Sequence, residues 1–107
     1  MPAEVWVDDG DVGRGAPAVR VTGELDGAYV DELYGAISSA QATTLDDASV
    51  VIDLTDCAFI DSSAIGVLLR SATAGPALSI VGAAGQVRRA LDLTGIEFHP
   101  GIQVLGS

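Results

Sequence analysis

Three times along this chain a short β-forming run gives way to apolar residues at helical spacing, and this alternation restricts the fold more than any other feature. Val19-Arg20-Val21-Thr22 precedes Val30, Leu33, Tyr34, Ile37 and Gln41, whose spacing predicts a helix with Asp31 and Glu32 turned to water near its start. Val50-Val51-Ile52-Asp53-Leu54 is a continuous, mostly β-branched run and predicts a strand buried on both faces. Ile65, Leu68, Leu69 and Ala72 then form a second helical stripe, stopped by Gly75-Pro76. Ala77-Leu78-Ser79-Ile80-Val81 predicts a further strand, and Val87, Ala90, Leu91 and Thr94 a third helix closed by Gly95. Val5-Trp6-Val7 lies ahead of the first unit and Ile102-Gln103-Val104-Leu105 after the last. The order β-β-α-β-α-β-α-β predicts an α/β fold: a mixed, largely parallel sheet of about five strands with helices packed on it, opened by a β-hairpin. A chain of 107 residues has room for one such domain, expected over residues 1–107.

The hairpin connection from Asp8 to Pro17 is dense in turn residues, and Thr43 to Ala48 is polar and expected as loop. Asp9, Asp11 and Gly13 have a faint calcium-loop spacing, but the glycine is misplaced and no glutamate closes the ring, so no metal is expected. Trp6 is expected in the core or covering the hairpin. Gly66 falls inside the second helix, where glycine costs about 1 kcal/mol relative to alanine; close packing of that helix on a neighbour is the expected reason.

Five Arg, no Lys and fifteen acids give a formal charge of -10. Residues 1–61 hold thirteen of the acids and two of the Arg, so the negative field comes from the first half of the chain. Such a field favours basic partners and repels anionic membranes, and it lacks the basic patch that nucleic-acid binding requires. No apolar run approaches the ~20 residues of a membrane span, so membrane insertion is not expected. Met1-Pro2-Ala3-Glu4 has no basic, apolar secretion signal. Cys57 is the single cysteine, which rules out an internal disulfide and makes a reducing cytoplasm the expected location.

An enzyme is not expected. Hydrolysis by a nucleophile needs a base and an orienting group, and the one histidine, His99, falls in the loop Phe98-His99-Pro100-Gly101. Neither Ser62 nor Ser63 lies in a Gly-x-Ser-x-Gly elbow. The glycines at 10, 13 and 15 fit no phosphate or dinucleotide fingerprint, so neither a cofactor nor a small-molecule substrate is expected. What remains is the junction where a strand leads through Asp61-Ser62-Ser63 into a helix. A short side-chain oxygen there accepts from free first-turn amides, and one such residue is enough for that purpose.

The run Asp61-Ser62-Ser63-Ala64-Ile65-Gly66-Val67-Leu68-Leu69 resembles the phosphorylation-site motif of the STAS family (sulfate transporter and anti-sigma factor antagonist). Val19-Arg20-Val21-Thr22-Gly23-Glu24-Leu25-Asp26 is similar to that family's second strand and following loop. Val87 to Ile96 resembles its third helix and closing turn. The resemblance implies a STAS fold and a stand-alone bacterial anti-sigma factor antagonist. Such a protein binds an anti-sigma factor serine kinase, releases a sigma factor, is switched off by phosphorylation, and is reset by a PP2C-type phosphatase. It implies Ser62 as the phosphorylated residue, ahead of Ser63, and a partner-binding surface of Gly23, Glu24, Asp26, Asp61, Ser62, Ser63 and Ala64. Ala64 stands where the family commonly has glycine, and its methyl is expected to face an approaching kinase loop. The alternative implied by the same family is a STAS subunit docked, without phosphorylation, onto a transport ATPase or another regulatory complex.

Overall fold

The structure, a computed structural model, describes residues 2–8, 17–44 and 48–105. Strand β1 (Glu4–Asp8) pairs antiparallel with β2 (Ala18–Leu25), setting Val5 opposite Val21 and Val7 opposite Val19. The rest follows in strict alternation: α1 (Val30–Ala42), β3 (Val50–Ile60), α2 (Ser62–Ala74), β4 (Leu78–Val81), α3 (Gly85–Thr94) and β5 (Ile102–Val104). The five strands lie side by side in sequence order, and β2 to β5 run parallel. The sheet is therefore mixed and largely parallel, as the alternation predicts. Residues 9–16, with the Asp9, Asp11 and Gly13 spacing, and residues 45–47 of the expected 43–48 loop lie outside the described residues.

Strands that advance one place at a time through right-handed crossovers put every connecting helix on the same side of the sheet. Burial agrees. Val19, Val21 and Leu25 of β2 and Val50, Ile52 and Leu54 of β3 are fully or almost fully buried, whereas Arg20 is exposed and Val51 and Asp53 are half-buried. Leu33 and Ile37 of α1, Ile65 and Leu68 of α2, and Val87 and Leu91 of α3 fill the layer beneath the helices. Each such side chain contributes about 1.5–3 kcal/mol by leaving water. Left-handed Gly95 (φ 67°) closes α3, and the Gly75 amide caps α2 on the Ser71 carbonyl.

The expectation that β3 is buried on both faces is corrected by this layering. Among the described residues, no helix lies on its second face. There Arg20 reaches Asp8 at 2.7 Å and Asp53 at 2.5 Å across three neighbouring strands. Trp6, opposite Arg20, is 41% exposed rather than in the core. A β-branched run reads the same whether helices or long polar side chains lie over its second face, which is why the sequence misleads here.

Burial pushes the Asp53 carboxyl up, but hydrogen bonds from the Thr55 hydroxyl and amide, with Arg20 beside it, outweigh that and hold it below the usual carboxylate range. A carboxyl lowered in the folded state adds stability above its ordinary value, and that stability is lost as pH falls through the folded one. Wild type is therefore expected to lose more melting temperature than Asp53→Asn on acidification below about pH 4. Parallel acid limbs in a thermal-melt series would contradict this.

Candidate partner-binding site

The C-terminal ends of β2 and β3 meet where Leu25 pairs with Ile60 and the Leu25 carbonyl accepts from the Asp61 amide at 3.2 Å. Asp61 is extended (φ −107°, ψ 177°), which lets its side chain turn back over the start of α2. One carboxylate oxygen accepts from the Ala64 amide at 3.0 Å, and the other accepts from the Gly27 amide at 3.1 Å. A single side chain thus satisfies a free amide of α2 and fastens the turn entering α1. Asp26 caps that turn in the same way from the residue before it. It accepts from the Ala28 amide at 2.9 Å and opens a short 3-10 segment, Gly27–Tyr29, that runs into α1.

With Asp61 as the cap, the two serines after it are free of that duty. Ser62 and Ser63 are exposed in the first turn of α2, and neither hydroxyl has a hydrogen-bond partner among the described residues. A Cβ placed on Gly27 would lie 3.8 Å from Ser63 Oγ, so the β2–α1 turn abuts Ser63 directly. Asp26, Asp61, Ser62 and Ser63 therefore share one surface, with Glu24 exposed on the strand leading to it. Gly27 belongs to this surface too, and neither its residue type nor the family motif singles it out. Its position directly after a capping aspartate is the available signal.

Two residues expected on the partner-facing surface are corrected. Gly23 is not in a loop: it is a buried residue of β2, paired with Cys57, at φ +79° against the backbone of Pro2. Ala64 is fully buried, so its methyl packs into the core and does not meet a partner. Ala64 falls on the α2 stripe with Ile65, Val67 and Leu68, where burial follows from the turn of the helix. Gly66 also differs from expectation. A Cβ added there meets nothing within 4 Å, so no packing among the described residues calls for glycine.

His99 lies far from Ser62. Its ring bonds to Thr73 Oγ1 at 3.2 Å, about three helical turns along α2, and its Nδ1 accepts from the Gly101 amide at 2.9 Å. Serine and histidine do not form a catalytic pair here. Cys57 is buried on β3 with its thiol on the Phe59 carbonyl at 3.2 Å, and burial pushes that thiol up. Labelling by a thiol-disulfide reagent at neutral pH is expected to run at least about tenfold slower than in the denatured chain; equal rates would refute this protection. Among the described residues no three metal-ligating side chains converge, and no helix is long and apolar enough to cross a membrane.

The family described as Mlab, STAS domain matches residues 11–103. The chain belongs to the STAS family. Among solved structures, this STAS domain is similar to an anti-sigma factor antagonist from Mycobacterium paratuberculosis, with 25% identity and a TM-score of 0.79 over 95% of this chain and 86% of that one. It is also similar to the anti-sigma factor antagonist SpoIIAA in its unphosphorylated form, with 22% identity and a TM-score of 0.61 over 97% and 89% of the two chains. SpoIIAA of Bacillus in its phosphorylated form gives 22% identity and a TM-score of 0.62 over 97% and 93%. The two SpoIIAA likenesses establish the fold alone. No curated protein matches this chain in sequence.

Proposed function

We infer that this STAS domain, as a single cytoplasmic unit, is an anti-sigma factor antagonist. It binds an anti-sigma factor that is a serine kinase, frees a sigma factor, and is switched off when that kinase phosphorylates Ser62. A PP2C-type phosphatase restores it, and the protein itself carries no catalysis. The observation behind this reading is the unbonded, exposed Ser62 hydroxyl at the start of α2, on a backbone that the Asp61 carboxylate holds from two sides. The likeness to the mycobacterial antagonist over nearly the whole chain supports the same role.

The physics favours a switch without refolding. A phosphoserine adds about −1.5 to −2 charges. At the N-terminus of a helix the dipole favours that anion, so the fold accepts it. Within an interface the same anion sits beside Asp61 and Asp26 and must be desolvated or paired, and a buried unpaired charge costs several kcal/mol. SpoIIAA is known in both states on this fold, consistent with a modification that leaves the architecture in place.

The test is to mix the purified protein with each kinase-type anti-sigma factor of its own organism and ATP, then locate phosphate by mass spectrometry. Phosphate on Ser62 with release of the kinase is expected. Absence of both binding and phosphate across the set, with a transport ATPase copurifying instead, would replace this reading by the docked-subunit alternative.

A further inference from the structure

Arg70 lies on the outer stripe of α2, two turns beyond Ser62, and makes no ion pair among the described residues. Its guanidinium carbon stands 5.9 Å from the centre of the Tyr34 ring on α1, and Tyr34 is itself 42% exposed. Two shallow clefts share this arginine as a wall. One, of about 370 Å³, is lined by Leu69, Arg70, Thr73, Ala74 and His99; the other, of about 210 Å³, by Val30, Asp31, Tyr34 and Arg70. Asp31 borders the second cleft without bonding to Arg70. Between Ser62 and Arg70 the stripe passes over Gly66, which leaves open space where a side chain would stand.

We propose that Arg70, lying over the Tyr34 ring, is a second anchor for the anti-sigma factor, receiving a partner segment that carries a carboxylate beside an apolar side chain. The proposal rests on the function inferred above and adds the chemistry of the partner. A guanidinium held over an aromatic face by a cation–π contact keeps N–H groups for two parallel bonds to a carboxylate. The cation–π attraction also biases the arginine toward this place before the partner arrives, which lowers the ordering cost of binding. The cleft beside it, walled by Leu69 and Ala74, takes the apolar side chain. Arginine and tyrosine are among the side chains most often found to dominate interface energetics.

Charge sets the direction. Asp26 and Asp61 surround the start of α2, whereas Arg70 lies about 12 Å along the helix by its rise per residue. A partner with its cation near Ser62 and its carboxylate on the Leu69–Ala74 side of Arg70, away from Asp31, fits this surface one way round, and the reverse orientation sets a carboxylate against Asp26 and Asp61. The bare backbone at Gly66 lets the partner lie close between the two anchors.

Photo-crosslinking in cells of the source organism tests this, with p-benzoyl-phenylalanine replacing Ser63, Thr73 or, as a control on the open sheet face, Gln103 in the full chain. Adducts to an anti-sigma factor are expected from positions 63 and 73 and not from 103. Arg70→Glu is expected to lower the position-73 adduct at least tenfold, Arg70→Lys by about threefold, and a lysine replacing the crosslinked partner carboxylate to restore the Arg70→Glu adduct. Melting temperatures of the Arg70 variants, equal to wild type, establish that folding is intact. An adduct from 63 alone, or a position-73 adduct indifferent to Arg70→Glu, overturns the second anchor and leaves the function standing. No adduct from either position overturns both. Adducts from both positions to a protein that is not an anti-sigma factor overturn the proposed function, while Arg70 dependence then keeps the docking surface.

Discussion

Ser62→Asp is expected to weaken binding of the anti-sigma factor by about 100-fold or more while moving the melting temperature by no more than about 2 °C. The two halves of this expectation have separate causes. Stability is spared because Ser62 is exposed and its hydroxyl holds nothing in place, while an acid in the first turn of a helix is favoured by a few tenths of a kcal/mol. Binding is expected to suffer because the new carboxylate joins Asp61 and Asp26 on the surface proposed to meet the partner. Ser62→Ala is the natural comparison, expected to bind at wild-type affinity and accept no phosphate at that position. Isothermal titration beside a thermal melt checks both halves. An unchanged affinity for Ser62→Asp would refute the switch, and a large fall in melting temperature would show that the fold does not accept the anion. The effect is also expected to shrink as salt rises, to the extent that the interface leaves the charge in water.

Gly23→Ala is expected to remove about 3 kcal/mol of stability and lower the melting point by about 10–20 °C. Two penalties combine there. At φ +79° an L side chain is strained, and the new Cβ would overlap the Pro2 carbonyl, with the Ala3 Cα only 3.2 Å away. All three of its nearest neighbours are backbone atoms, which cannot swing aside as the end of a long side chain can. Gly66→Ala provides the opposite sign: open space and a helical backbone predict a gain of about 1 kcal/mol. Denaturant unfolding of the two variants in parallel would expose an error in either direction.

These two glycines also mark how far the sequence can be read. Leu33 and Ile37, like Val87 and Leu91, announce their helices because a 3.6-residue period is a local property, and these four are buried as expected, whereas Tyr34 and Thr94 of the same stripes are exposed. Gly95 and Asp61 announce helix ends for the same reason: capping acts over three or four residues. Gly23 is hidden because its requirement comes from Pro2, a segment that β1 carries back alongside β2. Ala64 misleads because the family motif marks it as belonging to a site, while the helical phase of its neighbours buries it. The Tyr34–Arg70 contact joins two helices with β3 between them in the chain, so no local pattern contains it. Ser62 and Asp61 are legible because strand, cap and helix start are consecutive in the chain, and the site is built from that succession.

Strand order decides which regions of the molecule open together. The serine surface draws its frame from the ends of β2 and β3 and the start of α2, all within the first two β-α units. Strand β5 is only three residues long and holds the far margin, touching β4 alone within the sheet. Native proteins open in cooperative pieces of unequal cost, and a short margin is among the cheapest. Fraying of β5 can therefore proceed as a separate event, leaving the Asp61 clasp closed over Gly27 and Ala64.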